Sequence, residues 1–231
     1  MSKEIKIAVA SNVSYAVEDL KKEFVKLYPD TKVQVILGSS GKLTAQISNG
    51  APYQIFMSAD MKYPLALYEK KIAITKPFVY AYGELVLFSS KEQDFNRGFD
   101  LLKSEKIRKI AIANPKIAPY GKATLQAMKN AKIYEEIKKK LVYAESVSQT
   151  LSYAIAAVDI GFIAKSSLFS PKMQRFKKGK NWSDVDSKLY TPIDQGVVIL
   201  KKGKDDDRVK AFYDFLLSKK AKEIFENYGY L

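Results

Sequence analysis

Four short stretches of this sequence combine small residues with neutral hydrogen-bond donors. They are Ala10-Ser11-Asn12-Val13-Ser14, Gly38-Ser39-Ser40-Gly41, Asn114-Pro115 through Pro119-Tyr120-Gly121, and Glu145-Ser146-Val147-Ser148. Each lies between a strand-like apolar run and a helix-like run. A helix start leaves about four backbone N–H groups unpaired and carries partial positive charge. Such an end receives an anion readily. Small side chains let the anion approach the backbone, and hydroxyls such as those of Ser39 and Ser40 add neutral donors. Tyr120, between Pro119 and Gly121 at a helix entrance, would bring its hydroxyl toward the same ligand. Serine and asparagine are also the ordinary N-caps of helices, so one such loop alone carries no assignment. Two in each half of a repeated pattern point to one small dianion shared by both halves.

Enzyme chemistry has few instruments here. The chain contains no histidine and no cysteine. A Ser-His-Asp triad, a Cys-His pair, a thiol-ligated metal and a His-rich zinc site are therefore excluded. Gly38-Ser39-Ser40-Gly41-Lys42 departs from a phosphate-binding loop, because Ile36 stands where that loop needs glycine and Leu43 where it needs Ser or Thr. No GxGxxG fingerprint occurs, and the carboxylates form no pair at an obvious catalytic spacing. The formal net charge is +14. Its lysines scatter along nearly every segment rather than forming the concentrated footprint of a nucleic-acid binder. A general field that attracts small anions is the expected consequence, and no nucleic-acid partner is expected. No run approaches the roughly 20 apolar residues of a membrane helix. The first residues enter a strand pattern at once, and a secretion signal is not expected among them.

The elements that must position these loops alternate. Ile5–Val9 reads as a strand and Val13–Leu27 as a helix, with Val17, Leu20, Phe24 and Leu27 at helical spacing. Strand 32–37, helix 43–49 closed by Gly50, and strand 54–57 follow. The alternation predicts a mainly parallel sheet covered by helices on both faces. It repeats with strands at 84–88, 109–113 and 160–164, and helices at 121–129, 132–140 and 148–158. A late apolar strand at 196–200 precedes two helices, 205–217 and 219–228. The pattern predicts two α/β lobes, 1–81 plus 195–231 and 82–194. The chain would cross between them near Tyr82-Gly83-Glu84 and Asp194-Gln195-Gly196. Ligands in such folds bind beyond the carboxyl ends of the strands.

The sequence resembles the periplasmic molybdate/tungstate-binding protein family of ABC importers over almost its whole length. The resemblance is carried by Ile7-Ala8-Val9-Ala10-Ser11-Asn12, Gly38-Ser39-Ser40-Gly41-Lys42-Leu43 with Gln46-Ile47, and Gly50-Ala51-Pro52 with Ser58-Ala59-Asp60. Ala113-Asn114-Pro115 with Pro119-Tyr120-Gly121, Phe212-Tyr213-Asp214-Phe215-Leu216 and Phe225-Glu226-Asn227-Tyr228-Gly229 add to it. It implies a type II periplasmic binding protein fold, no catalysis, no cofactor, and capture of molybdate or tungstate between two lobes for delivery to a membrane permease. A monomer is expected. By motif position Ser11, Asn12, Ser40, Tyr120 and the Val147 backbone N–H would bind the oxyanion, with Ser39 beside them. Molybdenum or tungsten would be held only as its oxyanion, with no protein ligand on the metal. Some members carry a hydroxyl-donating tyrosine just after the strand that follows the fourth loop's helix; here the matching position is Ala164. The alternative ligand is another tetrahedral oxyanion: sulfate, phosphate or thiosulfate.

Overall fold

The computed structural model describes residues 3–231. The chain forms two compact units, one of residues 1–82 and 194–231 and the other of residues 83–193. The chain passes between them at Tyr82–Gly83 and Ile193–Asp194.

The first unit opens with strand β1 (Lys3–Ala10), helix α1 (Ala16–Leu27), β2 (Thr31–Gly38), α2 (Ser40–Ser48), β3 (Ile55–Met57), α3 (Lys62–Glu69) and β4 (Phe78–Gly83). The second contains β5 (Leu85–Phe88), α4 (Asp100–Lys103), β6 (Ile110–Ala113), α5 (Pro119–Asn130), α6 (Tyr134–Ile137), β7 (Leu141–Ala144), α7 (Val147–Ala156), β8 (Ile160–Ala164) and β9 (Trp182–Asp184). The chain then returns through β10 (Ile193–Ile199), α8 (Asp207–Leu216) and α9 (Lys219–Asn227).

In the first unit the strand order is β2-β1-β3-β10-β4. β1 pairs in parallel with β2 and β3, and the returning β10 pairs antiparallel with β3. Successive side chains point to opposite faces of the sheet, and where both faces are covered every position is apolar, as in Ile7–Val9 and Ile55–Met57. Ile5, Ile7 and Val9 of β1, with Ile55 and Met57 of β3, face a core built with Val17, Leu20 and Phe24 of α1 and Phe212 and Phe225 of α8 and α9. Ala8, Phe56 and Val198 face the opposite layer, with Leu43, Ile47 and Leu67. Phe24 meets Phe212 edge-on, with centroids 4.9 Å apart. Fully burying such a ring is worth about 1.5–3 kcal/mol.

The second unit has the order β7-β6-β8-β5-β9. β6 is parallel to β7 and β8, while β5 runs antiparallel to both β8 and β9. Both sheets are thus mixed, each a parallel three-strand block joined by one antiparallel neighbour, β10 in the first and β5 in the second. The stretch expected as one helix over 132–140 is a single turn of α6, a 3-10 turn at Lys138–Lys140 and then strand β7. Buried Ile133 and Ile137 supply a helical i, i+4 spacing that hides the break. Helix α3 escaped periodicity because Pro64 interrupts its apolar pattern; a proline is tolerated there because it sits in the first turn.

Candidate oxyanion site

Sheet register gathers the four loops at strand ends. In the first lobe Ala10 of β1 is level with Gly38 of β2, and Val9 with Met57 of β3. The parallel arrangement places the segments after these strands, beginning at Ser11, Ser39 and Ser58, at one sheet edge. In the second lobe Ala113 of β6 is level with Ala144 of β7, and Ala111 with Gly161 of β8. The Asn114–Tyr120 loop, Val147 and Ala164 therefore share the corresponding edge there. Asn114 N–H donates to the Ala144 carbonyl at 2.8 Å and fastens the third loop to the fourth.

Three of the four loops open an α-helix. Ser39 caps α2 with its hydroxyl accepting from Lys42 N–H at 3.4 Å, which leaves Ser40 at the first helical position. Ser146 caps α7 by accepting from Gln149 N–H at 3.3 Å, which leaves Val147 at its first position. The N–H groups of Ser40 and Val147 fall outside the intrahelical ladder. Pro119 opens α5, where its missing N–H costs nothing. The first loop differs from the expectation of a helix beginning at Val13. Ser11–Val13 form a 3-10 turn, and α1 starts only at Ala16.

Ser40 is almost fully buried, at 1% exposure. Its Oγ accepts from Ala59 N–H at 2.9 Å. A hydroxyl has one proton and two lone pairs, so this bond leaves the proton to donate. Among the described residues no acceptor takes it. Ala59 belongs to the turn after β3, whose Ser58 Oγ donates to Asp60 at 3.1 Å and whose Asp60 carboxylate accepts from Tyr63 N–H at 3.2 Å. Ser58-Ala59-Asp60 is visible in the sequence, but its residue types do not mark the Ala59 N–H as the partner of Ser40.

Ser11 and Asn12 are buried. Asn12 Nδ2 donates to Gln195 Oε1 at 2.8 Å and to the Tyr230 hydroxyl at 3.0 Å. In the second lobe Tyr120 is buried in the first turn of α5. The helix start lies hard against β6, since a Cβ on Gly121 would stand 2.0 Å from the Ala113 carbonyl oxygen. Only glycine permits that approach. Ala164 is fully buried at the end of β8 and offers no hydroxyl. The cation next to it, Lys165, pairs with Glu84 at 2.9 Å and Asp184 at 3.1 Å. Burial opposes its charge, but the bonds from these carboxylates prevail, and its pKa lies above the usual lysine value. That lysine is neutralised locally and adds no bare charge to this edge.

Among the described residues no group of three or more acidic, His or Cys side chains is placed to hold a metal ion. No helix among them is long and apolar enough to cross a membrane. A cavity of about 700 Å³, floored by Leu27, Tyr28 and Phe215, lies in the first lobe at the far end of α1 from Ser11.

The sequence pattern of the bacterial extracellular solute-binding proteins matches residues 5–231. The chain belongs to this family. The solute-binding protein is 36% identical to the molybdate-binding protein ModA of Azotobacter vinelandii, over 98% of this chain and 89% of that one. It is 35% identical to ModA of Rhodobacter capsulatus, over 99% and 88%. The solved structure of the periplasmic molybdate-binding protein of Azotobacter vinelandii superposes with a TM-score of 0.91, at 33% identity and 98% coverage of each chain. The two helix-flanked mixed sheets are those of the type II periplasmic binding protein fold.

Proposed function

We propose that this solute-binding protein captures molybdate, and tungstate as its near-isostere, in the periplasm and delivers it to the permease of an ABC importer. The observation that carries the reading is Ser40. It is buried at a helix N-terminus, and its hydroxyl oxygen is occupied by Ala59 N–H so that its proton is left to give. The similarity to ModA proteins of two organisms supports the choice of ligand.

In this reading Ser11, Asn12 and Ser40, with Ser39 beside them, serve the anion from the first lobe, and Tyr120 and the Val147 N–H from the second. Both lobes, 1–81 plus 195–231 and 82–194, close on one ligand about the crossovers at 82–84 and 194–196. The dianion loses water and gains charge-assisted N–H and O–H bonds, each worth about 1.5–3 kcal/mol. No bond in the ligand is made or broken, so the protein is a carrier and not an enzyme, and it works as a monomer. Sulfate is smaller, and in a cage of fixed donors it leaves some of them unmet. Tyr120 takes over the hydroxyl contact that Ala164 cannot make.

Scanning fluorimetry with a panel of oxyanions tests the reading. A ligand at about 100 times its Kd stabilises by about 2.7 kcal/mol. For a chain of this size that raises the Tm by roughly 5–10 °C. Molybdate and tungstate are expected to do so while sulfate, phosphate and thiosulfate at equal concentration do not. A shift produced by phosphate or thiosulfate and absent with molybdate contradicts the assignment.

A further inference from the structure

Behind the first loop lies a closed, buried hydrogen-bond ring that local sequence does not announce. Asn12 Nδ2 donates to Gln195 Oε1 at 2.8 Å and to the Tyr230 hydroxyl at 3.0 Å. The Tyr230 hydroxyl in turn donates to the backbone carbonyl of Asn12 at 2.8 Å. On the other side the single Tyr80 hydroxyl proton is shared between Gln195 Oε1 at 2.9 Å and the Ser58 carbonyl at 3.2 Å. Gln195 is 0% exposed, Asn12 2% and Tyr230 3%. Burial pushes the Tyr80 hydroxyl well above the ordinary tyrosine range, so it stays a neutral donor.

The ring fixes both ends of residue 12. Its side chain is held by two partners, and its carbonyl is drawn onto Tyr230. A trans peptide points its C=O and the following N–H in opposite directions. Holding the Asn12 carbonyl on Tyr230 therefore aims the Val13 N–H away from Tyr230. The same residues touch the places where the chain enters and leaves this lobe. Gln195 directly follows Asp194, the first residue after re-entry. Leu231, next to Tyr230, pairs with Tyr82 through N–H to carbonyl bonds of 3.1 and 3.0 Å, and Tyr82 is the last residue before departure.

We propose that Tyr230 and Gln195 are positioning residues for the oxyanion: they hold the Ser11–Asn12–Val13 turn in its ligand-receiving geometry and register it against both chain crossovers. This rests on the oxyanion reading of the first loop. Neither residue touches the ligand; both act through Asn12. The crossovers and the ligand turn thereby share one rigid block, and a displaced turn weakens capture without unfolding the lobe.

The test is Tyr230→Phe, which deletes one oxygen and keeps the ring packed edge-on against Phe225 at 5.5 Å. Molybdate affinity by calorimetry and the Tm of the ligand-free protein are measured side by side with the wild type. The expected result is an affinity at least about tenfold weaker, with the ligand-free Tm lowered by no more than about 3 °C. The Asn12 side-chain amide resonances should also move in the ligand-free nitrogen–proton spectrum. Unchanged affinity with a lowered Tm overturns the proposal and leaves the ring a purely structural feature. If Tyr230→Phe does not fold, Gln195→Met, which removes the acceptor on the other side at similar volume, is read by the same pair of measurements. Failure of the wild type to bind any tetrahedral oxyanion overturns the underlying reading instead, so the two failures are told apart by the wild-type titration.

Discussion

Ser40 concentrates the chemistry of the first lobe in one side chain. Its hydroxyl oxygen accepts from Ala59 N–H; in the proposed function its hydroxyl proton and its N–H go to the ligand. Ser40→Ala removes the hydroxyl but keeps the helix position. It leaves one anion oxygen underbonded and Ala59 N–H without its 2.9 Å acceptor. We expect molybdate affinity to fall about tenfold or more, the size of one lost bond to a charged group. Calorimetry of the variant checks it, and an unchanged Kd would show that Ser40 merely packs the turn after β3. Serines and glycines at strand ends single this position out as a candidate from the chain alone. Its partner Ala59 was not, because a backbone donor has no side-chain signature. Gln195 and Tyr230 were equally silent: they reach Asn12 across 183 and 218 positions, and nothing local marks a glutamine or tyrosine as part of such a ring.

Elements aim these residues, and two contacts set how well. The α5 entrance rests on β6 only because residue 121 lacks a side chain. Gly121→Ala would put a carbon 2.0 Å from the Ala113 carbonyl oxygen, a backbone atom that cannot swing aside. The helix start must lift, carrying Tyr120 with it. We expect a loss of about 1–3 kcal/mol, the range for overpacking, together with weaker molybdate binding. Chemical denaturation and titration of the same sample measure both. In the first lobe the Tyr228 hydroxyl donates to Asp19 at 2.7 Å and ties the end of α9 to α1. That bond, with help from Lys22, holds the Asp19 carboxyl below its ordinary value. Burial, then the Asp19 bond, pushes Tyr228 up to about 12. The depressed acid contributes stability above its unfolded value and loses it as pH falls through the folded one. The raised tyrosine contributes below its unfolded value and loses it as pH rises toward 12. Tyr228→Phe should therefore cost roughly 1 kcal/mol at neutral pH, modest because the pair is largely solvated. The cost should shrink below about pH 4 and above about pH 10. A difference from wild type that stays constant across that whole range would remove the bond from the explanation. The apolar strands at the sheet centres could be read from continuous runs such as Ile110–Ala113, buried on both faces. Edge strand β7 could not: it is four residues long, half-exposed, and follows three lysines that continue the charge pattern of the preceding turn.

Over the whole molecule, the composition and the site divide the work. The surplus of +14 comes from lysines scattered along the chain, while the loops carry neutral donors and the lysine beside Ala164 is paired with two carboxylates. In the proposed function the field draws anions in and the donors choose among them. Ionic strength should therefore slow association of every oxyanion alike and leave the ranking of affinities intact. That ranking is the sharpest measurement available. Titration calorimetry of the wild-type protein with molybdate, tungstate and sulfate in one buffer should give molybdate and tungstate affinities within about tenfold of each other. Sulfate should bind at least about 100-fold more weakly, the difference of roughly two unmet donor bonds. Sulfate binding as tightly as molybdate, or no binding of either metal oxyanion, would contradict capture by a size-matched cage of neutral donors.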